Sequence, residues 1–180
     1  MSASRDTISR LLANNEKFAS SFNGAPTMEQ LRADIKENGA QPLFILTCLD
    51  PRCVPEAFFG PDLRGAVHRN AGGRATGDVV RSLNVLRALV NMKTVVVVHH
   101  TDCGMTHVTE DEIREYAKSK NPEAAAIVDK IDFDLWKEEH LEESVKKDVR
   151  KLREEKSLDG IEVFGFVLDT QTAVVTEVQV

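Results

Sequence analysis

Two continuous apolar runs, "PLFILTC" ending at Cys48 and "TVVVV" ending at Val98, are separated by a stretch with helical periodicity. That alternation constrains the fold more than any other feature. Runs with no polar alternation suit strands covered on both faces. Between them Val79, Leu83, Leu86 and Val90 mark one face of a long helix that follows the glycines of "NAGG". A strand, a crossover helix and a second strand give parallel pairing, so the expected class is α/β with helices flanking a central, mostly parallel sheet.

The remaining elements fit this frame. Ile8, Leu11, Leu12 and Phe18 recur at helical spacing, which predicts an amphipathic helix from about Ser4 to Phe22, ended by "NGAP". Thr27 and Gln30 form a capping-box pattern ahead of Leu31 and Ile35, with Gly39 as the stop. A short strand is expected from Gly65 to Arg69. Further helices are expected in "TEDEIREYAKSK", capped by Thr109 and Glu112, and in "NPEAAAIVDKI". Leu141, Val145, Val149 and Leu152 stripe a highly charged helix whose charges read as a solvated face. "IEVFGFVLDT" and "AVVTEVQV" close the chain as a strand pair joined by a "TQT" turn, an antiparallel edge. The reading is one domain over 1–180, with an N-terminal helical arm in 1–39 and an α/β core in 40–180.

A formal charge of −6 argues against a nucleic-acid partner, which calls for a basic face. No apolar run approaches the ~20 residues that span a bilayer, so no membrane partner is expected. The N-terminus lacks the apolar stretch of a secretory signal. Three cysteines cannot all pair within one chain, which points to a reducing, cytoplasmic setting.

In open α/β sheets the functional crevice lies beyond the carboxyl ends of the strands. Cys48 ends the first apolar strand, and His100 and Cys103 end or follow the second. Two thiolates and an imidazole can converge there on a metal, and Cys₂His with an open fourth position is a catalytic zinc set. Pro51 biases Asp50 towards extended backbone, and period-two geometry then aims Cys48, Asp50 and Arg52 to one side. A carboxylate there can accept a hydrogen bond from a metal-bound water, and a guanidinium can hold it bidentately.

"CLDPR" and "HHTDC", with "HRNAGG" and "DVVRSLNVL" between them, resemble the β-class carbonic anhydrases over roughly Leu43 to Met105. The resemblance implies Zn²⁺ held by Cys48, His100 and Cys103, with Asp50 and Arg52 as a catalytic dyad. It implies reversible hydration of CO₂ to bicarbonate by zinc-bound hydroxide. It also implies that Asp50 can rotate onto the metal as a fourth ligand in a closed state, and that the chain assembles as a homodimer or homotetramer through its N-terminal helix. The compact chain resembles the short branch of the family, in which some members hydrolyse carbonyl sulfide or carbon disulfide. Their substrates are linear like CO₂, so hydrolysis with release of H₂S is the alternative activity. A non-catalytic zinc or anion-binding module is disfavoured by the intact Asp50 and Arg52, and a thiol redox protein by the lack of a C-x-x-C pair. Pro51 stands where the family more often carries a small residue.

Other candidates carry blander expectations. Cys53 reads as a buried thiol without a role, His99 as a packed residue on the opposite side of its strand from His100, and His68 as structural. His107 is a candidate proton carrier, with a structural role favoured, and His140 belongs to the surface. Gly72 and Gly73 are assigned to the substrate-pocket wall, where close backbone approach needs glycine. Arg69 and Arg74 are left between bicarbonate attraction and an exposed or interface role.

Overall fold

The computed structural model describes residues 3–39 and 41–180; Met1, Ser2 and Ala40, which the expected arm and core include, lie outside them. The chain divides into two compact units, Met1–Gly39 and Ala40–Val180.

The first unit is a helix pair. Helix α1 (Ala3–Ala19) has no buried residue, and Ile8, Leu11, Leu12 and Phe18 of its apolar face are exposed. Helix α2 (Met28–Asn38) begins with the expected capping box between Thr27 and Gln30 and ends at Gly39 in the left-handed conformation.

The second unit is built on a five-stranded sheet. Its strands are β1 (Leu43–Cys48), β2 (Gly65–Asn70), β3 (Thr94–His100), β4 (Glu162–Leu168) and β5 (Val175–Val178). They lie in the order β2-β1-β3-β4-β5. All neighbours pair in parallel except β4 and β5, which form the antiparallel edge. The connections are α3 (Pro55–Phe58), α4 (Gly77–Val90), α5 (Glu110–Lys120), α6 (Ala125–Val128) and α7 (Leu141–Glu154). The chain leaves β1 to one side for β2 and returns to its other side for β3, so a topological switch point opens between the carboxyl ends of β1 and β3. Cys48 and His100 are the last residues of those two strands.

Strand alternation divides the core in two. Phe44, Leu46, Val95, Val97 and Val163 face α4 and α7, meeting Val79, Leu83, Val145, Val149 and Leu152. Ile45, Val98 and Leu168 point the other way, into a cluster that holds Cys48, Cys53 and Cys103. Each of the fully buried aliphatic side chains on α7 contributes roughly 1.5–3 kcal/mol of transfer free energy, which seats that helix on β3 and β4. The charged face of α7 is solvated as expected except at Asp148, which is 0% exposed. "NPEAAAIVDKI" forms only a 3₁₀ turn and the four-residue α6.

Candidate metal centre

The β1 carboxyl end delivers Cys48, and β3 delivers His100 and, through the turn after it, Cys103. All three are buried, and their ligating atoms lie within 4.8 Å of one another. The Cys48 and Cys103 Sγ atoms are 3.9 Å apart. His100 Nδ1 hydrogen-bonds the Thr101 carbonyl at 2.9 Å, which fixes the tautomer with the proton on Nδ1. In the neutral ring Nε2 carries the lone pair; it is buried and has no hydrogen-bond partner. A buried imidazole lone pair aimed at two thiols is costly without an occupant. The donor set fits a zinc ion with a fourth position left over.

The electrostatics agree. The Cys48 thiol is pulled down chiefly by the hydrogen bond from Cys103, against burial, while Cys103 is pushed up by sharing that proton. Burial opposes charge on His100, but Cys48 and Cys53 beside it raise it to about 10. The proton shared by the two thiols and the second proton of the His100 ring are those that a bound cation displaces. Cys53 is fully buried and adjoins this cluster without belonging to the three-atom group.

Asp50 and Arg52 come together through a turn, not through the extended period-two geometry expected of them. The Cys53 N–H donates to the Asp50 carbonyl at 2.9 Å, closing a β-turn with Pro51 at its second position, where a fixed φ is favourable. The Arg52 backbone N–H donates to Asp50 Oδ1 at 2.8 Å, an Asx-turn. The guanidinium then grips the same carboxylate, Nε to Oδ1 at 3.0 Å and Nη2 to Oδ2 at 2.8 Å. This Arg52 grip holds the Asp50 carboxyl down at about 2, so it is ionised at neutral pH.

The glycines form the wall behind Cys48. Gly73 has φ 69, and a Cβ there would sit 2.9 Å from the Thr47 carbonyl carbon. Gly72 has φ 75, and a Cβ would meet the Trp136 ring at 2.6 Å. Both combine left-handed backbone with close approach, so neither tolerates a side chain.

The remaining candidates are placed as follows. His99 is fully buried on the α7 side of the sheet, bonded to Ser144 Oγ at 2.7 Å and stacked on Trp136. Arg74, expected to attract bicarbonate or to take an exposed or interface role, is instead buried within its own chain: it is 3% exposed, pairs with Asp134 at 2.8 Å, and lies 3.2 Å from Asp148. Burying its charge requires these carboxylates. Arg69 hydrogen-bonds the backbone carbonyls of Cys48 and Asp50. His68 lies half-buried 3.9 Å from Asp78, and His140 is exposed before α7. His107 is exposed and bonds Asp102. A cavity of about 620 Å³ borders this loop from outside, lined by Thr101, Asp102, Thr106 and His107 among others; none of the three candidate ligands lines it.

Sequence reasoning missed Asp102, Trp136 and Asp148. For Asp148 a signal existed, because with Ser144 it falls on the same helical stripe as Leu141, Val145 and Leu152. A carboxylate on an apolar stripe marks a buried partner.

Comparison with known proteins agrees with this geometry. Residues 43–175 match the family model described as carbonic anhydrase. Beta-carbonic anhydrase 1 of Mycobacterium tuberculosis is 32% identical over 93% of this chain and 94% of its own length. A carbon disulfide hydrolase of Saccharolobus solfataricus is 40% identical over 79 residues, which is 43% of this chain and 39% of that protein. Among solved structures, the carbonic anhydrase of Streptococcus mutans superposes with a TM-score of 0.76 at 29% identity, covering 99% of each chain. Strand order, the Cys-His-Cys group at the switch point and a match running nearly end to end lead to one conclusion: the chain belongs to the β-class carbonic anhydrase family.

Proposed function

We propose that this protein is a zinc-dependent carbonic anhydrase that catalyses reversible hydration of CO₂ to bicarbonate, with Cys48, His100 and Cys103 holding the metal. The observation that carries the reading is the Asp50–Arg52 pair, formed two residues beyond Cys48 and gripped through both carboxylate oxygens. A structural zinc site has no use for such a pair. When bound, zinc supplies Lewis acidity that makes a water nucleophilic near neutral pH.

The chain's own residues do the rest. Asp50 Oδ1 accepts two hydrogen bonds from Arg52 and Oδ2 accepts one, so Oδ2 keeps acceptor capacity for the proton of a reacting water. An acid held at about 2 is a weak base, so Asp50 orients that water and does not store its proton. Two thiolates neutralise a divalent ion, which reduces its acidifying effect on water and makes this orientation matter more. Gly72 and Gly73 keep the wall behind Cys48 free of side chains.

Hydrolysis of carbonyl sulfide or carbon disulfide is the second reading, favoured by the 40% identity to a carbon disulfide hydrolase over 79 residues. The longer alignment with a carbonic anhydrase supports the first. Assembly as a homodimer or homotetramer is supported by the exposed apolar residues of α1, and a reducing, cytoplasmic setting by three free cysteines. No helix among the described residues is long and apolar enough to cross a membrane. The test is a side-by-side assay of the zinc-loaded protein, by stopped flow for CO₂ and by sulfide release for the sulfur substrates. Fast hydration with negligible sulfide supports the carbonic anhydrase; the reverse makes it a sulfide-releasing hydrolase, and silence in both rejects an enzyme.

A further inference from the structure

We propose that Asp102 is a positioning residue for the Asp50–Arg52 pair, the outer carboxylate of an Asp50–Arg52–Asp102 bridge; this rests on the dyad reading above. Arg52 gives Nε and Nη2 to Asp50, and turns its other edge to Asp102: Nη1 to Oδ2 at 2.8 Å and Nη2 to the backbone carbonyl at 2.9 Å. The Arg52 side chain is 41% exposed. An exposed arginine–carboxylate pair by itself is weak, because the long side chain must be ordered for a screened attraction. A second residue on the adjoining edge of the planar guanidinium orders it once for both contacts. The edge that faces Asp50 is then the only one left for it.

Asp102 is itself held in place. Its backbone has φ 53, a left-handed conformation that Asp tolerates better than most residues. Its N–H donates to Glu138 Oε1 at 3.0 Å, and its Oδ1 meets His107 Nε2 at 2.9 Å. Because Asp102 lies between His100 and Cys103, the bridge ties the loop after β1 to the loop after β3, the two segments that bring all three candidate ligands together. A solvated surface acid would need none of these four contacts.

The test is hydrogen exchange of the Arg52 Nε–H, followed by ¹⁵N NMR on the zinc-loaded protein, in Asp102→Gly and Asp102→Asn. Glycine is at ease at φ 53 and removes only the side chain; asparagine keeps an acceptor oxygen. In Asp102→Gly the Arg52 Nε–H is expected to exchange about tenfold faster, as the loss of a charge-assisted hydrogen bond implies. Zinc content should be unchanged and kcat should fall by a similar factor with KM nearly constant. Asp102→Asn should restore most of both. Wild-type exchange in Asp102→Gly, or faster exchange without loss of kcat in an active enzyme, overturns the proposal. Exchange is read without turnover, so an inactive wild-type protein would reject the functional reading and still leave the bridge decided.

Discussion

Arg69 reaches Cys48 from the neighbouring strand: its Nε donates to the Cys48 carbonyl at 3.0 Å, and its Nη2 donates to the Asp50 carbonyl at 2.5 Å. One guanidinium thus spans the backbone on both sides of Leu49, at the point where β1 leaves the sheet. The planar fork suits two carbonyls at fixed separation, which a single ammonium cannot serve with the same geometry.

Arg69→Lys is therefore expected to bind zinc as the wild type does but to turn over roughly tenfold more slowly, the loss of about one charge-assisted hydrogen bond in orienting Asp50. Metal analysis and stopped-flow hydration together check this. Unchanged kcat would make Arg69 a strand-edge residue only.

Gly73 is packed directly against the β1 backbone behind the site. Alanine there meets both the left-handed backbone penalty and a 2.9 Å approach to the Thr47 carbonyl carbon, which cannot swing aside as a side chain tip would. Gly73→Ala should lose roughly 2–4 kcal/mol of stability in urea unfolding. A loss below about 1 kcal/mol would mean that β1 shifts freely, contrary to its position between two parallel neighbours.

What the sequence made legible follows from the range of each interaction. Strands β1 and β3 announced themselves because they are covered on both faces and therefore apolar throughout, and the ligand candidates because they sit where those runs stop. The turn at Asp50–Cys53 carries no such mark: Pro51 biases only Asp50 towards extended backbone, and period-two aim of Cys48, Asp50 and Arg52 misses an Asx-turn that depends on where the Asp50 carboxylate points. Arg69, Arg74 and Asp102 were ambiguous or unnoticed for another reason. The partners that place them, Asp50 for Arg69, Asp148 for Arg74 and Arg52 for Asp102, lie 19 to 74 residues away, and an exposed-looking charge carries no local mark of what the fold will bring to it.

Asp134 supplies a pH dependence away from the metal group. Burial would raise its carboxyl, but Lys147 and Arg74 lower it below the ordinary value. A carboxylate depressed in the folded state stabilises above its unfolded pKa of about 3.9, and that contribution fades as pH falls through the folded value. Asp134→Asn removes the charge while suiting the residue's φ of 50. The variant should be less stable by about 1–2 kcal/mol at pH 7, with the gap to the wild type closing below about pH 4. Thermal unfolding across pH 3–7 measures it; a gap that widens on acidification would contradict the pairing.

The division of labour between ligands and dyad makes the last prediction. Cys103 is fully buried with its Sγ 3.9 Å from that of Cys48, and it has no role in holding Asp50. Replacing its thiolate with a hydroxyl leaves two protein ligands, too few for tight zinc binding. Asp50 lies outside the three-atom group, and its own partner is Arg52. Cys103→Ser should therefore lose zinc and turnover together. Asp50→Ala should retain close to one zinc per chain while turnover falls by about two to three orders of magnitude, the scale of a lost preorganised hydrogen-bonding group that orients the reacting water. Metal content by plasma emission, paired with CO₂ hydration rates on the same samples, reads both. Equal zinc loss in the two variants would show that Asp50 belongs to the metal's own ligands, and the separation of ligands from dyad would have to be given up.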